Sequence, residues 1–244
     1  MRLEILYQDE WLVAVNKPAG LLVHRSMIDR HETQFALQLV RDQIGQRVYP
    51  VHRLDKPTSG VLLFALDVDT ARQVGEAFTQ RETEKQYLAV VRGYSNEQGL
   101  IDYPLKEQLD RIADAKADQD KPAQEAQTAY RRLNTVELPY AVGRYASARY
   151  SLVQLMPHTG RKHQLRRHMK HLFHPIVGDT THGDGKHNRL FREQFDCHRL
   201  LLHAERLAVV HPHTQQRLVL KAGLDEVFAR LLQDVGWQEG QYNS

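Results

Sequence analysis

Strand signals and helix signals follow one another along this chain in no regular alternation, and that order restricts the fold more than any other feature. Leu3 to Tyr7 and Trp11 to Val15 are short apolar runs parted by Gln-Asp-Glu, and the breaker cluster Asn16-Lys17-Pro18-Ala19-Gly20 then leads into Leu21-Leu22-Val23. These are strands joined by tight turns. Glu32 to Ile44 sets Phe35, Leu39 and Val40 on one helical face, Val48 to Leu54 returns to strand character, and Gly60 to Leu66 is a fully apolar strand. Asp69 is placed to cap a helix whose stripe is Ala71, Val74, Ala77 and Phe78, ending at Gln80. Further strands are expected at Glu84 to Gly93, Thr128 to Val136 and Tyr150 to Met156, with a late hairpin of Leu207 to Val210 and Arg217 to Leu220. An amphipathic helix over Leu224 to Val235 follows. Many strands with a few interspersed helices predict an α+β fold.

The 244 residues can bury one sizeable core, and residues 1–236 read as a single domain with a short tail over 237–244. Lys106 to Thr128 is polar, alternately charged and poor in large apolar side chains, so we take 106–128 as an insertion. No apolar run is long enough to span a bilayer, and Met1 to Tyr7 has no secretory pattern. The single cysteine, Cys197, has no internal disulfide partner, which suits a reducing cytoplasm. Overall net charge is only +3, but its distribution is uneven. Between Ala141 and Leu220 there are 13 Lys and Arg against 5 Asp and Glu, which makes that half a cationic surface candidate.

Between two expected strands lies His52-Arg53-Leu54-Asp55-Lys56-Pro57-Thr58-Ser59-Gly60, a constrained loop whose only acid is Asp55. Further on, a helix from Arg161 to Leu172 would put Leu165, Met169 and Leu172 on the core side and Lys162, Arg166 and Lys170 in an outer stripe. Like charges stacked at that spacing are mildly destabilising, and an anionic partner such as RNA phosphate offsets the repulsion. The histidines His163, His168, His171 and His174 lack the His-Glu-x-x-His spacing and an acidic partner in that helix, so no metal is expected.

The loop around Asp55 resembles the His-Arg-Leu-Asp-x-x-Thr-Ser-Gly signature of the RluA-type pseudouridine synthases at every specified position. Lys85-Gln86-Tyr87 resembles the family's Lys-x-Tyr strand, and Thr159-Gly160-Arg161-Lys162-His163-Gln164-Leu165-Arg166-Arg167-His168 resembles its Thr-Gly-Arg-x-His-Gln-Leu/Ile-Arg-x-His block. Asn16 to Gly20, His174-Pro175-Ile176-Val177-Gly178-Asp179 and Arg199 to Ala204 extend the likeness from about Leu3 to Leu220. Trp11, the start without an S4 RNA-binding domain, and Leu109 to Asp114 are closest to a branch of the family that modifies uridine 65 of tRNA.

The resemblance implies a mixed, mostly antiparallel bent sheet with flanking helices and a central active-site cleft. It also implies an isomerase that needs no cofactor and no metal, with tRNA as the partner. The bond from ribose C1′ to base N1 must break and the base rejoin through C5, so a carboxylate, Asp55, holds or activates one fragment meanwhile. The family pattern assigns Arg161 as the cation beside Asp55 and Tyr87 as the ring against the target base. Arg53 is placed to contact RNA around a flipped nucleotide. His52, Lys85, Lys162, His163, Arg166 and Lys170 complete the expected RNA contacts. An rRNA-directed member of the family, a noncatalytic RNA-binding protein and a histidine-liganded metallohydrolase are the alternative readings.

Overall fold

A computed structural model describes residues 1–25, 32–107 and 122–238. Leu109 to Asp114, most of the polar insertion and residues 239–244 therefore lie outside the described residues. In chain order the strands are β1 (Glu4–Gln8), β2 (Leu12–Lys17), β3 (Tyr49–Pro50), β4 (Ser59–Ala65), β5 (Glu84–Arg92), β6 (Gln98–Asp102), β7 (Gln127–Leu138), β8 (Ala148–Pro157), β9 (Leu202–Val210) and β10 (Arg217–Lys221). The helices are α1 (Ala36–Ile44), α2 (Val68–Thr79), α3 (Gln164–His171), α4 (Gly185–Phe195) and α5 (Glu226–Asp234). One sheet runs β1-β2-β4-β9-β5-β8-β7-β6, with β3 added to β4 and β10 to β9. All pairings are antiparallel except β4 with β9.

The sheet is covered on both faces, and strand periodicity shows how. In β4, Leu62 and Phe64 pack toward α1 while Val61, Leu63 and Ala65 pack toward α2, which is why that run is apolar throughout. In β5, Leu88 and Val90 face a core built with α4 and α5, and Ala89 and Val91 face one built with α3. Tyr87 touches both the α1-side and the α3-side clusters, so it stands where they meet on one face of the sheet.

Several expectations shift. Leu21-Leu22-Val23 contributes one isolated bridge, Leu22 with Phe35, and α1 begins four residues after Glu32. Strand pairing after Val48 stops at Pro50, leaving residues 51–58 as loop. The cap of α2 is Asp67, whose Oδ1 accepts the Thr70 N–H at 2.9 Å, not Asp69. β6 and α4 add to the expected elements; α4 is polar apart from Leu190, Phe191 and Phe195, and Asp184 caps it. Trp237, assigned to the tail, is buried against the α5 core and donates Nε1–H to the Thr135 carbonyl, so the domain runs one residue further.

The seam between β4 and β9 fixes the Asp55 loop. Ser59 pairs with His203 and Gly60 with Ala204 where the two strands run parallel. Gly60 has φ 114, and a Cβ there would lie 2.2 Å from the Ala204 carbonyl oxygen, so only glycine lets the strands approach. The Ser59 hydroxyl meets Nδ1 of His203 at 2.8 Å and accepts from Nη2 of Arg199 at 2.8 Å. Arg199 also pairs with Asp225, the cap of α5, and so ties the loop's end to the far helix.

Candidate active site

Asp55 sits in the turn between β3 and β4, its carbonyl accepting the Thr58 N–H at 3.0 Å and its carboxylate partly open to solvent. Oδ2 faces two groups: Nη1 of Arg166 at 3.4 Å and Nε2 of His163 at 4.0 Å. Tyr87 lies close enough that, after burial, the Asp55 charge further pushes its phenol well above the usual range. That hydroxyl stays protonated and can donate.

The arginine beside Asp55 is not the expected one. Arg161 turns away, donating Nε–H to the Glu125 carbonyl at 3.0 Å, and its backbone N–H goes to the Gln164 side chain. Gln164 also meets Thr159 at 2.7 Å and Thr128 at 3.0 Å, which pins the Thr-Gly-Arg turn to the start of β7. Arg166 is 4% exposed and grips Asp179 with Nε at 2.7 Å and Nη2 at 2.8 Å, a bidentate pair that leaves Nη1 for Asp55. Burial alone would raise the Asp179 carboxyl. Hydrogen bonds from Arg166 and from the backbone of His182 and Thr181 outweigh that and hold it below its usual value.

The outer stripe is corrected for the same reason. His163 has φ 56, so the helix starts only at Gln164 and Lys162 lies outside its register. Leu165, Arg166, His168 and Met169 are all buried, leaving Lys170 and His171 on the exposed face. Arg166 is thus an interior ion-pair partner, while Lys162 and Lys170 remain exposed.

Of the other expected contacts, His52 is turned inward. Its Nε2 accepts the Leu63 N–H at 3.0 Å and its ring stacks on Phe78 at 4.8 Å. Burial, then the charge of Lys85, pushes its pKa down to about 3, so it is a neutral brace between β4 and α2. Lys85 reaches toward the Thr159 carbonyl at 3.5 Å, and burial followed by Arg81 lowers its pKa. Arg53 is exposed on the loop's outer side, near His24.

Lys17 is a group that sequence reasoning passes over. It is fully buried, with Nζ donating to the carbonyls of Pro18 at 2.9 Å, Leu21 at 2.8 Å and Lys56 at 3.2 Å. Burial and then Arg199 push its pKa down to about 7, with Asp55 opposing. Gly20 N–H also reaches the Lys56 carbonyl at 2.8 Å, so the breaker cluster clamps the residue next to Asp55. A lysine inside a Pro-Gly turn is the signal that points to it. Among the described residues, no group of three or more His, Cys, Asp or Glu is placed to hold a metal ion.

Residues 11–171 match the family model described as RNA pseudouridylate synthase. The tRNA pseudouridine synthase C of Vibrio cholerae is 64% identical over 97% of this chain and 97% of its own length. The one from Haemophilus influenzae is 58% identical over 97% and 99%. Among solved structures, human RNA pseudouridylate synthase domain containing 4 superposes with a TM-score of 0.70 at 29% identity, covering 95% of this chain and 92% of that one. The bidentate Arg166, the Asp55 loop and the Tyr87 strand stand within a fold shared with these proteins, and the chain belongs to the RNA pseudouridylate synthase family.

Proposed function

We propose that this protein converts uridine to pseudouridine in tRNA, at uridine 65, with Asp55 as the catalytic carboxylate. The observation that carries the reading is the setting of Asp55: a partly open carboxylate with one buried cationic partner, in a chain similar over nearly its whole length to tRNA pseudouridine synthases C. Arg166 sets a positive charge 3.4 Å from the carboxylate that is to act as nucleophile. Because Asp179 already takes two of its N–H groups, Arg166 is oriented without being drawn fully onto Asp55. Tyr87 offers its ring face to a base and a protonated hydroxyl near the carboxylate.

The C1′–N1 bond breaks, the uracil turns while held in the cleft, and C5 joins C1′. The proton lost from C5 is balanced by one gained at N1, so the reaction is redox-neutral. A nucleotide inside a helix must first be extruded, costing a few kcal/mol. Arg53, on the exposed side of the Asp55 loop, is placed to meet the RNA there. Arg161, Lys162 and Arg167 line a cavity of about 210 Å³ together with Lys106 and Glu107, a setting suited to backbone phosphate.

The test pairs chemistry with position. Asp55→Asn, nearly isosteric but a poor nucleophile, should abolish pseudouridine formation while tRNA binding persists. In cells lacking the protein, pseudouridine mapping should show loss at position 65 of tRNA alone. Turnover by Asp55→Asn comparable to wild type would sink the mechanism, and loss at an rRNA site instead would move the substrate.

A further inference from the structure

Two imidazoles stand in line beside Asp55, and the mechanism proposed for the carboxylate uses neither. His163 occupies a left-handed turn, φ 56, that few side chains adopt without strain. That turn brings Nε2 within 4.0 Å of Asp55 and leaves Nδ1 3.1 Å from Nε2 of His182. The two rings meet edge to face with centroids 5.3 Å apart. His182 is buried and is itself fixed, its backbone N–H donated at 2.9 Å to Oδ1 of Asp179, the carboxylate that grips Arg166.

Two nitrogens at 3.1 Å share one proton, so one ring donates and the other accepts. If His163 donated from Nδ1, its Nε2 lone pair would face the Asp55 anion. If His182 donates from Nε2, neutral His163 carries its proton on Nε2 and turns an N–H toward the carboxylate. The second arrangement is the electrostatically favourable one. Resting on the reading of Asp55 as the catalytic carboxylate, we propose that His182 is a positioning residue for the isomerisation. Its Nε2–H holds His163 with an N–H, not a lone pair, toward Asp55.

The charge state of the pair matters as much as its geometry. Asp55, from the loop before β4, and Asp179, from the segment after α3, favour a protonated His163; Arg166 of α3 and neighbouring Lys162 oppose it. Arg166, His163 and Lys170 act the same way on His182, with Asp179 against them. Burial is the largest influence on both rings, lowering the pKa of His163 and pushing that of His182 down to about 4. Neutral His163 therefore orients Asp55 without adding a second full ion pair beside Arg166, which would blunt the carboxylate as a nucleophile. Losing the His182 Nε2–H removes a hydrogen bond that only neutral His163 can accept at Nδ1, so the pKa of His163 moves up. The acid side of the rate profile moves up with it.

The experiment uses the full chain and tRNA transcribed in vitro, which contains no pseudouridine, comparing wild type with His182→Phe and His182→Gln. Phe fills the space without a donor, whereas the Gln amide can still donate to His163. His182→Phe should lose about tenfold in kcat, the worth of one hydrogen bond, with KM nearly unchanged and the acid limb of kcat moved to higher pH. His182→Gln should keep most of kcat and the wild-type limb. Imidazole ¹⁵N spectra without RNA should show the Nε2–H form of His163 in wild type and in His182→Gln but not in His182→Phe. A wild-type pH profile and kcat in His182→Phe, a His182→Gln as deficient as His182→Phe, or an Nδ1–H form in the wild type would each overturn the proposal. Wild type that makes no pseudouridine would overturn the functional reading instead, and the spectra would still judge the hydrogen bond.

Discussion

Charged groups in this protein live under two regimes, and α3 with its preceding turn contains both. Inside, Arg166 lies 5% exposed at its side chain against an Asp179 carboxylate that is fully buried. Outside, Arg161, Lys162 and Lys170 lie at or near the surface, and elsewhere Arg72 and Glu76 form an i,i+4 pair more than half exposed. An interior charge depends on its partner because water is excluded, whereas an exterior charge is screened and loses little if the partner goes. The same side-chain chemistry is therefore structural and electrostatic in the interior and screened by solvent outside it.

The sharpest way to break that contrast is Asp179→Ala, which leaves Arg166 only the partly open Asp55 and removes the acceptor for the Thr181 and His182 N–H groups. Breaking a buried pair by removing one partner costs about 3 to 5 kcal/mol, read as a shift in the urea midpoint at constant slope. The double change Asp179→Leu with Arg166→Met should recover much of that stability yet remain inactive, since Asp55 then has no cation beside it. A single-variant loss below about 1 kcal/mol would mean that the interior pair is no different from the surface ones.

Next in size is Lys17, an interior amine held by three carbonyls. Its amine titrates near 7 in the folded protein and near ~10.4 when unfolded, so between those values the unfolded chain binds more protons. Stability from this group therefore rises with pH across that window, by an amount on the order of a few kcal/mol, because folding at lower pH must bury the charged form. Lys17→Met should remove that rise, and the difference in unfolding free energy between the two proteins should narrow or change sign from pH 9 to pH 7. Parallel curves would show that the ammonium is adequately solvated by its three carbonyls at all pH values.

How much of this is readable in the sequence follows the same inner and outer division. The sheet's centre is legible because an apolar run such as Val61 to Leu66 has few other uses, and the Asp55 loop because its residue order is so specific. The identity of the carboxylate's cation is not. Extending helical periodicity back to Arg161 makes Arg166 look like part of an exposed stripe, and it misses that His163 adopts a left-handed turn and that Asp179 lies in reach. His52 misleads for a related reason. Its place beside Asp55 in the chain says nothing of Phe78 or Leu63, which the fold brings to its ring. Residues whose partners are distant in sequence are the ones that local pattern does not place.

The smallest effect belongs to the exterior. With Arg166 excluded, the cations available to phosphate on this face include Lys162 and Lys170, both exposed. Removing one lysine–phosphate interaction should flatten the dependence of log affinity on log salt by roughly 0.7 to 0.9, so Lys162→Gln with Lys170→Gln should take away up to about 1.4 to 1.8 units of slope. Stability should change by no more than about 0.5 kcal/mol, as for other surface substitutions, and kcat at saturating tRNA should hold because both side chains are exposed. The choice of uridine should also persist, since phosphate contacts position RNA without reading it. Titrating tRNA onto both proteins at several salt concentrations decides the matter. A slope equal to wild type would make this face solvated surface and move the RNA contacts to Arg53 and the cavity lined by Arg161 and Arg167.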